Sequence, residues 1–546
     1  MACPKFVAFG LCLSMAAAGR AQVAVKLGQN FIGSTYGVNS SALPPDPNGN
    51  IGPKHFVEFI NGTFAVYNKT NGASVKRISD IKFWSNAGLV ISPDSGVSDP
   101  RVIYDPLSQR WFASQVDYDA AAPSGDPTLE ANDFLLAFSD TADPTGHWTG
   151  FMFQSDPDNG DFADFPTMGV DSNAVYLSGD FFVGEDNPVG PGLVSIPKAD
   201  LLATNISHST WSGVMDYSVR GQVLQPVTCF DGSSSGNILA VGDIGTTSDP
   251  HSNLVSFAVL GSGGPDATLS DPTNIFVSPY LVPDNPDLGI PLFTAVQPDG
   301  TATLQANDAR LSARVYAVGG VLYAVHNTEV NGRVAIRWYR INAATQALLE
   351  SGTLADASLD LFFPSIAANT NGVMVITYNG SGSGTYISCY AVAGLTVNGV
   401  TTFGNPILLQ SGVASYHDLY EVLELTTQSR WGDYSTISVD PADPGRFWVI
   451  GMYPSGIETT FDSGIWSTRI TQLLTAPLQL SLAPSGTNVI VSWPVLASDY
   501  QLLSATNLAP PAAWSNVTQA TQTNSTQAWV QVPVTGRQQF FRLYHP

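Results

Sequence analysis

The chain has 546 residues, with 22 Lys and Arg against 45 Asp and Glu for a formal net charge of −23. At 44% hydrophobic and only 12% charged residues it can bury a large core, which excludes disorder over most of its length. So acidic a chain repels phosphates, which excludes a basic nucleic-acid-binding surface, while 50 Gly and 37 Pro point to many tight turns.

In chain order, Met1 to Ala21 read as a secretory signal peptide. Lys5 precedes the apolar run Phe6–Ala18, and Gly19-Arg20-Ala21 supplies a small-x-small cleavage site before Gln22. The run is shorter than the roughly 20 residues a bilayer span needs. No later stretch of that length is free of Gly, Pro and charge, so no membrane insertion is expected.

Helical periodicity is nearly absent beyond short candidates at Ala199–Ala203 and Ala343–Leu349. Short runs of Val, Ile, Phe, Tyr and Trp separated by Gly, Pro, Asn and Asp dominate, which is the all-β pattern. One unit recurs: an acidic or aromatic residue, usually Pro, a short apolar strand, an Asp or Asn turn, and a second apolar strand. Its copies run from Asp99 to Ser114, Asp164 to Ser178, Gln225 to Val241, Phe363 to Ile376 and Asp433 to Ile450, with looser copies from Leu311 and from Pro45. Taking Asp46, Pro100, Pro166, Pro226, Ala313, Pro364 and Ser435 as equivalent, the longest intervals fall before Ala313 and before Ser435. Each interval holds two further strand-like runs, giving four strands per repeat. Sheets of that size hide their faces against neighbours and their edges by ring closure, which predicts a β-propeller. Seven repeats suggest seven blades. Six is the alternative if the N-terminal segment only completes the last blade, with Val23–Ile32 as a closing strand. The turn aspartates are expected to cap their own turns.

After Leu474 the texture changes to cleanly alternating short strands. Thr475-Ala476-Pro477 read as a linker, and residues 478–546 as a small β-sandwich. The division is therefore 1–21 signal peptide, 22–474 propeller and 478–546 sandwich. Cys3 and Cys12 leave with the signal. Cys229 and Cys389 sit in strand-like runs and are expected as two buried thiols, with one long-range disulfide as the alternative.

The start of each innermost propeller strand lines one mouth of the central channel. The repeat places Asp46, Asp99, Asp164 and Asp433 there, with Arg101, Arg430 and Asp308 nearby. Such a set either works as acid and base, or binds a hard cation such as Ca²⁺, or forms a solvated polar rim. No cofactor beyond that cation is implied. Trp431, Tyr434 and Trp111 read either as a sugar-stacking floor or as inter-blade packing. The acidic runs Asp156–Asp161 and Asp284–Asp287 match calcium loops in composition only. The seven histidines show no His-x-His or His-x-x-x-His pair for zinc, and no Gly-x-Ser-x-Gly elbow or phosphate-binding Gly loop is present.

Pro44–Pro53, Ser98–Ser114, Asp164-Phe165-Pro166-Thr167 and Trp431–Ser435 resemble secreted bacterial β-propeller proteins of the sialidase-like, BNR-repeat kind. The terminal segment resembles a fibronectin type III module. The resemblance covers roughly residues 40–546 and implies architecture and export. It carries over no catalytic residue. The family's Arg-Ile-Pro motif is missing, and its Ser-x-Asp-x-Gly-x-Thr-Trp box survives only as half-echoes at Pro144–Trp148 and Pro444–Trp448.

The sequence thus predicts an exported monomer that binds an extracellular glycan or protein without catalysis, through Asp46, Arg101, Arg430, Trp431 and Tyr434. One alternative is a sialidase-like hydrolase or lyase using Asp99, Asp164 or Asp433. A second is a structural cell-envelope component.

Overall fold

The turn-forming residues act as their chemistry dictates. Asp105 accepts a hydrogen bond from Leu107 N at 2.8 Å, Asp171 from Asn173 N at 2.7 Å, Asp231 from Ser233 N at 2.9 Å, Asn369 from Asn371 N at 3.0 Å and Asp440 from Ala442 N at 2.9 Å. Each closes a tight turn and sends the next apolar strand back antiparallel. The computed structural model describes residues 23–184, 187–244, 250–283, 294–534, 536 and 538–544. The leader and the acidic run 284–287 lie outside the described residues.

Among the described residues these hairpins build seven antiparallel blades. Their innermost strands are Asn48–Ile51, Ser95–Asp105, Phe162–Val170, Gln222–Pro226, Tyr316–Val318, Asp360–Ala368 and Thr436–Val439. We number the blades in that order. Blade 7 takes Val23–Thr35 as its outermost strand, paired antiparallel with Gly464–Pro477. The chain therefore has seven repeats and a closing strand as well, where the sequence offered these as alternatives. Thr475-Ala476-Pro477, expected as a linker, pair with Val23–Val25 as the end of that strand.

Neighbouring blades bury their faces against one another. Trp111 of blade 2 is fully buried with Phe59, Phe64 and Val66 of blade 1 in one cluster. Gly52 lets it approach, since a Cβ there would lie 2.5 Å from the indole. Truncating such a ring to Ala costs about 3–5 kcal/mol. Its Nε1 donates to Ala142 O at 3.0 Å, so this indole packs between blades rather than facing a ligand.

The recurrent aromatic-or-acidic residue before Pro has a backbone reason. Asp99, Phe165, Val223 and Phe363 have φ of 60°, 51°, 54° and 47°. Each sits in a register shift of the inner strand, between Ser98 and Arg101, Asp164 and Thr167, Gln222 and Gln225, and Phe362 and Ser365. These are β-bulges with a left-handed first residue. The proline that usually follows lacks an N–H and fits a bulge, where no ladder bond is lost. Asp46, φ 49°, repeats the conformation before Pro47. In blade 4 the bulge falls at Val223-Leu224, so Leu224, not Pro226, is the equivalent of the prolines. Ala343–Leu349 is a turn leading into strand Leu348–Leu354 rather than a helix, whereas Lys198–Leu202 is helical.

Two residues after each bulge, a polar side chain ties its blade to the next. Asn48 Oδ1 accepts from Val102 N at 3.0 Å, Arg101 Nε donates to Pro166 O at 2.7 Å, and Thr167 Oγ1 donates to Leu224 O at 2.6 Å. Thr436 Oγ1 closes the ring, donating to Gly49 O at 3.0 Å and accepting from Gly49 N at 2.9 Å. Blade 5 instead reaches across the channel. Arg314 Nη2 donates to Val102 O of blade 2 and Tyr316 Oη to Ile437 O of blade 7, both at 3.0 Å, and the two side chains are joined by an Arg314 Nη1 to Tyr316 Oη bond at 3.0 Å. This crossbar divides the channel into two ends.

After the ring, Ser481–Ser485, Asn488–Pro494, Gln527–Pro533 and Gln522–Thr523 form one sheet. Ser515–Asn516, Gln501–Ala505 and Phe540–Tyr544 form another. They share a core around Val491, Trp493, Leu502, Val530 and Val532, which also takes in Ala24 of the closing strand. Cys229 and Cys389 are unpaired and buried, and burial pushes the Cys389 thiol up to about 12. Among the described residues no helix is long and apolar enough to cross a membrane.

Candidate functional site

The bulges decide what the channel mouth looks like. Phe165 and Val223, left-handed at the heads of their inner strands, cluster with Tyr434 of blade 7. The Phe165 and Tyr434 rings lie 4.7 Å apart. The Arg101 guanidinium stacks 3.5 Å from the Tyr434 centroid and the Arg310 guanidinium 4.8 Å from that of Phe165. Two cations thus rest on an aromatic floor, each contributing about 0.5–2 kcal/mol.

Around that floor, buried carboxyls knit the blades together. Asn61 donates from Nδ2 to Asp46 Oδ2 at 2.8 Å and accepts from Asp99 N at 2.9 Å. Asp46 Oδ1 accepts from Asp433 N at 2.8 Å. Asp99 takes the Tyr434 hydroxyl at 2.5 Å on Oδ2 and the Ser98 hydroxyl at 2.9 Å on Oδ1. Asp180 Oδ1 accepts from Val223 N at 3.2 Å. Burial pushes all three carboxyls up: Asp46 well above the usual range, Asp99 to about 6 with help from Asp164 and Asp433, and Asp180 to about 7.

The solvent-facing charges come mainly from the two long intervals in the repeat. The segments around Thr303–Gln305 and Ser429 pair side by side, Gln305 N to Ser429 O and Ser429 N to Thr303 O, both at 3.0 Å. The first segment delivers Asp308 and Arg310, joined by Nε–Oδ1 and Nη2–Oδ2 bonds of 2.8 and 2.7 Å. The second delivers Arg430 and Asp433, 2.7 Å apart. Asn307 Nδ2 to Asp433 Oδ1, 3.0 Å, links the two. Arg430 is half-exposed and Asp433 partly so. Asp164 is exposed, yet the low-dielectric walls around it, and then Asp433, raise its carboxyl. Asp433 and other carboxylates hold the Arg430 cation firmly charged.

The structure brings Asp46, Asp99, Asp164, Asp433, Arg101 and Arg430 to one mouth. It does not give them one role. Asp46, Asp99, Arg101, Trp431 and Tyr434 are buried. Trp431 packs edge-on against Tyr416 and donates to Asn379 Oδ1 at 3.2 Å. The sugar-stacking floor is therefore corrected: these rings are already covered by protein. Asn61, Asp180 and Arg310 complete the cluster and were not picked out from the sequence. Asp180 had one signal, a carboxylate inside the apolar run Val175–Phe182. Asn61 had none.

Among the described residues no group of three or more His, Cys, Asp or Glu side chains is arranged to hold a metal ion. In the Asp156–Asp161 loop the carboxylate of Asp156 turns inward, accepting from Asp158 N at 3.0 Å and Asp161 N at 3.3 Å.

Seven blades around a channel with a charged mouth make this chain an all-β propeller. No family model matches it, and no curated protein sequence does. Among solved structures it is similar to a protein of unknown function from Dyadobacter fermentans, at 12% identity over 71% of this chain and 97% of that one, TM-score 0.37. It is also similar to the GH93 α-L-arabinofuranosidase of Fusarium graminearum in complex with arabinobiose, at 9% identity over 81% and 97%, TM-score 0.37. A third is Trypanosoma rangeli sialidase in complex with sialic acid, at 10% identity over 82% and 83%, TM-score 0.34. At such identities and TM-scores these likenesses say nothing about activity.

Proposed function

We propose that this propeller is an exported protein that binds a neutral extracellular glycan at the charged mouth, without catalysis. One observation carries the reading. The carboxyls with strongly raised pKa values, Asp46, Asp99 and Asp180, are buried and engaged in internal hydrogen bonds, while the groups that meet water are Asp164 and the Arg430–Asp433 pair. A carboxylate accepts two hydroxyl hydrogens and a guanidinium donates several, so this set suits the vicinal hydroxyls of a sugar. At the mouth Asp164, Asp308 and Asp433 face Arg310 and Arg430. That near-balance disfavours an anionic sugar. In this reading the leader exports the chain, the protein acts as a monomer, and the C-terminal sheets form a fibronectin type III-like module.

A second reading, glycoside hydrolysis, draws on the water-facing carboxyls Asp164 and Asp433, the first of them raised by its surroundings and then by Asp433, since a carboxylic acid and a carboxylate side by side divide acid and base roles. The test is the purified full chain on a glycan array and on chromogenic glycosides. Binding of neutral glycans, lost in Asp164→Asn and Arg430→Gln with unchanged melting, is the expected result. Turnover abolished by Asp164→Asn or Asp433→Asn with unchanged melting would sink the binding-only reading. Neither binding nor turnover, with retention in the envelope fraction, would leave the structural role.

A further inference from the structure

The segment that delivers Arg430 to the mouth also carries an exposed aromatic ring beside it. Asp418 caps the short helix Leu419–Val422, its Oδ1 accepting from Glu421 N at 2.8 Å. Its Oδ2 accepts from Arg430 N at 2.7 Å. One carboxylate therefore fixes both the Arg430 backbone and the helix that holds Tyr420. Tyr420 is 47% exposed, and Leu425, whose N–H donates to Tyr420 O at 2.8 Å, is 68% exposed.

Two further tyrosines stand near it, both half-buried. Tyr36 follows the closing strand, with its ring 6.0 Å from that of the buried Trp466 and its N–H on Trp466 O at 3.0 Å. Gly464, on the same strand, donates to His417 O at 2.6 Å, which sets the Tyr420 helix beside Tyr36. Tyr118 of blade 2 lies over Gly96, where a Cβ would meet its ring at 2.2 Å. Burial and then Tyr420 push the Tyr36 phenol up, and burial, Asp80 and Tyr420 do the same for Tyr118. Single apolar side chains at a surface are ordinary, whereas rings gathered in one place mark an interaction site.

The chemistry around these rings narrows what covers them. Residues 36–47, 411–429 and 455–463, which hold or flank Tyr36 and Tyr420, include Glu424, Glu458 and Asp462 but no Lys or Arg. An anionic chain such as a uronate or sulfated glycan is therefore repelled. A tyrosine offers an apolar face and a hydroxyl that both donates and accepts, which matches the C–H faces and hydroxyl rim of an uncharged sugar. The rings also continue the mouth, since Asp418 joins the Tyr420 helix to Arg430. We infer that Tyr420, with Tyr36 and Tyr118, is an aromatic platform for the further units of a neutral glycan chain whose first unit sits at the Arg430–Asp433 mouth. The platform rests on the glycan reading of the mouth and makes its ligand an oligosaccharide rather than a single sugar.

Cello-, xylo- and arabino-oligosaccharides of one to six units are titrated into the full chain and followed by ligand-observed NMR. Affinity is expected to rise with length. Tyr420→Ala is expected to weaken the hexasaccharide about tenfold, the weight of one aromatic anchor, and to leave the monosaccharide unchanged. Tyr420→Phe, which keeps the ring, is expected to retain most of the gain. Equal affinity at every length in the parent would overturn the platform and leave the mouth reading standing. An equal loss at every length in Tyr420→Ala would overturn it too, because Tyr420 would then act only through Arg430. Binding of no length at all would sink the mouth reading and the platform with it. A dimer in sedimentation that Tyr420→Ala abolishes, with hexasaccharide affinity unchanged, would overturn the platform in favour of a second copy of the chain.

Discussion

Tyr434 donates its phenolic hydrogen to Asp99 across 335 residues of sequence, at 2.5 Å. The bond runs from blade 7 to blade 2 over the head of blade 1, and Arg101 lies flat on the Tyr434 ring at 3.5 Å. One carboxyl, one phenol and one guanidinium thus tie blades 2 and 7 together at the axis. This is why neither Asp99 nor Tyr434 is free to serve a ligand.

Removing that hydrogen bond tests the arrangement. Tyr434→Phe is expected to lower stability by about 1–3 kcal/mol, the cost of a lost buried bond to a charged or chargeable group. The hydroxyl also lowers the Asp99 pKa, so Asp99 is expected to titrate higher in the variant. Urea unfolding at pH 5 and pH 8 reads both effects. Equal stability of the two proteins at both pH values would show that the contact contributes nothing.

Asp180 makes stability depend on pH in a stated direction. Burial raises its folded pKa to about 7 from the ordinary carboxyl value of 3.8. The folded state therefore binds more protons between those values, and stability falls as pH rises through the window. The shift corresponds to a penalty on the order of 4 kcal/mol above pH 7. Asp180→Asn is expected to flatten this dependence and to be the more stable protein at pH 8. A variant as pH-sensitive as the parent would refute it.

His417 works in the opposite way on the wall of the mouth. Its Nδ1 lies 3.0 Å from Glu421 Oε2 and its Nε2 2.8 Å from Asp299 Oδ2, and Glu421 accepts from Ser429. The Glu421 hydrogen bond, against burial, and then Asp299 raise the imidazole to about 9 from 6.5. The folded pKa is raised, so this contribution is whole below pH 6.5 and is lost as pH climbs through about 9. Asp299, held at about 2 by His417 and Thr301 despite burial, gives a contribution lost only as pH falls through 2. Thermal melting from pH 6 to pH 10 is expected to fall less steeply for His417→Gln than for the parent.

Glu58 pins the closing strand. It is fully buried and accepts from Ser34 N at 3.1 Å, Ser34 Oγ at 2.8 Å and Tyr67 Oη at 2.6 Å, and from Thr468 Oγ1. Glu58→Gln keeps the shape but turns an amide N–H₂ toward these donors. A loss of about 2–4 kcal/mol is expected, seen as a lowered urea midpoint. Protease cleavage near Val23–Thr35 is expected to speed up in the same variant, because the ring is closed through that strand.

How much of this was legible can be traced through single residues. Asp105, Asp171 and Asp440 announced their turns, because an Asx turn involves only the residue and its next neighbours. The repeat announced blades, because period-2 alternation and turn spacing are local. It misplaced blade 4 by two residues, since Pro226 looked like the bulge proline and only pairing shows that the shift falls at Val223. The long intervals before Ala313 and Ser435 were visible as lengths, but not as the segments that deliver Arg310 and Arg430.

What the sequence determined by itself is therefore the ring: all-β blades, their approximate number, and an acidic set at the head of the inner strands. Tertiary structure alone decided which members of that set meet water. Asp46 and Asp99 share Asn61 and are sealed by blade 7, whereas Asp164, one residue before its bulge, stays exposed. A one-residue offset at a bulge reverses the side a side chain faces, and ring closure brings partners hundreds of residues apart. Neither effect leaves a mark on local composition.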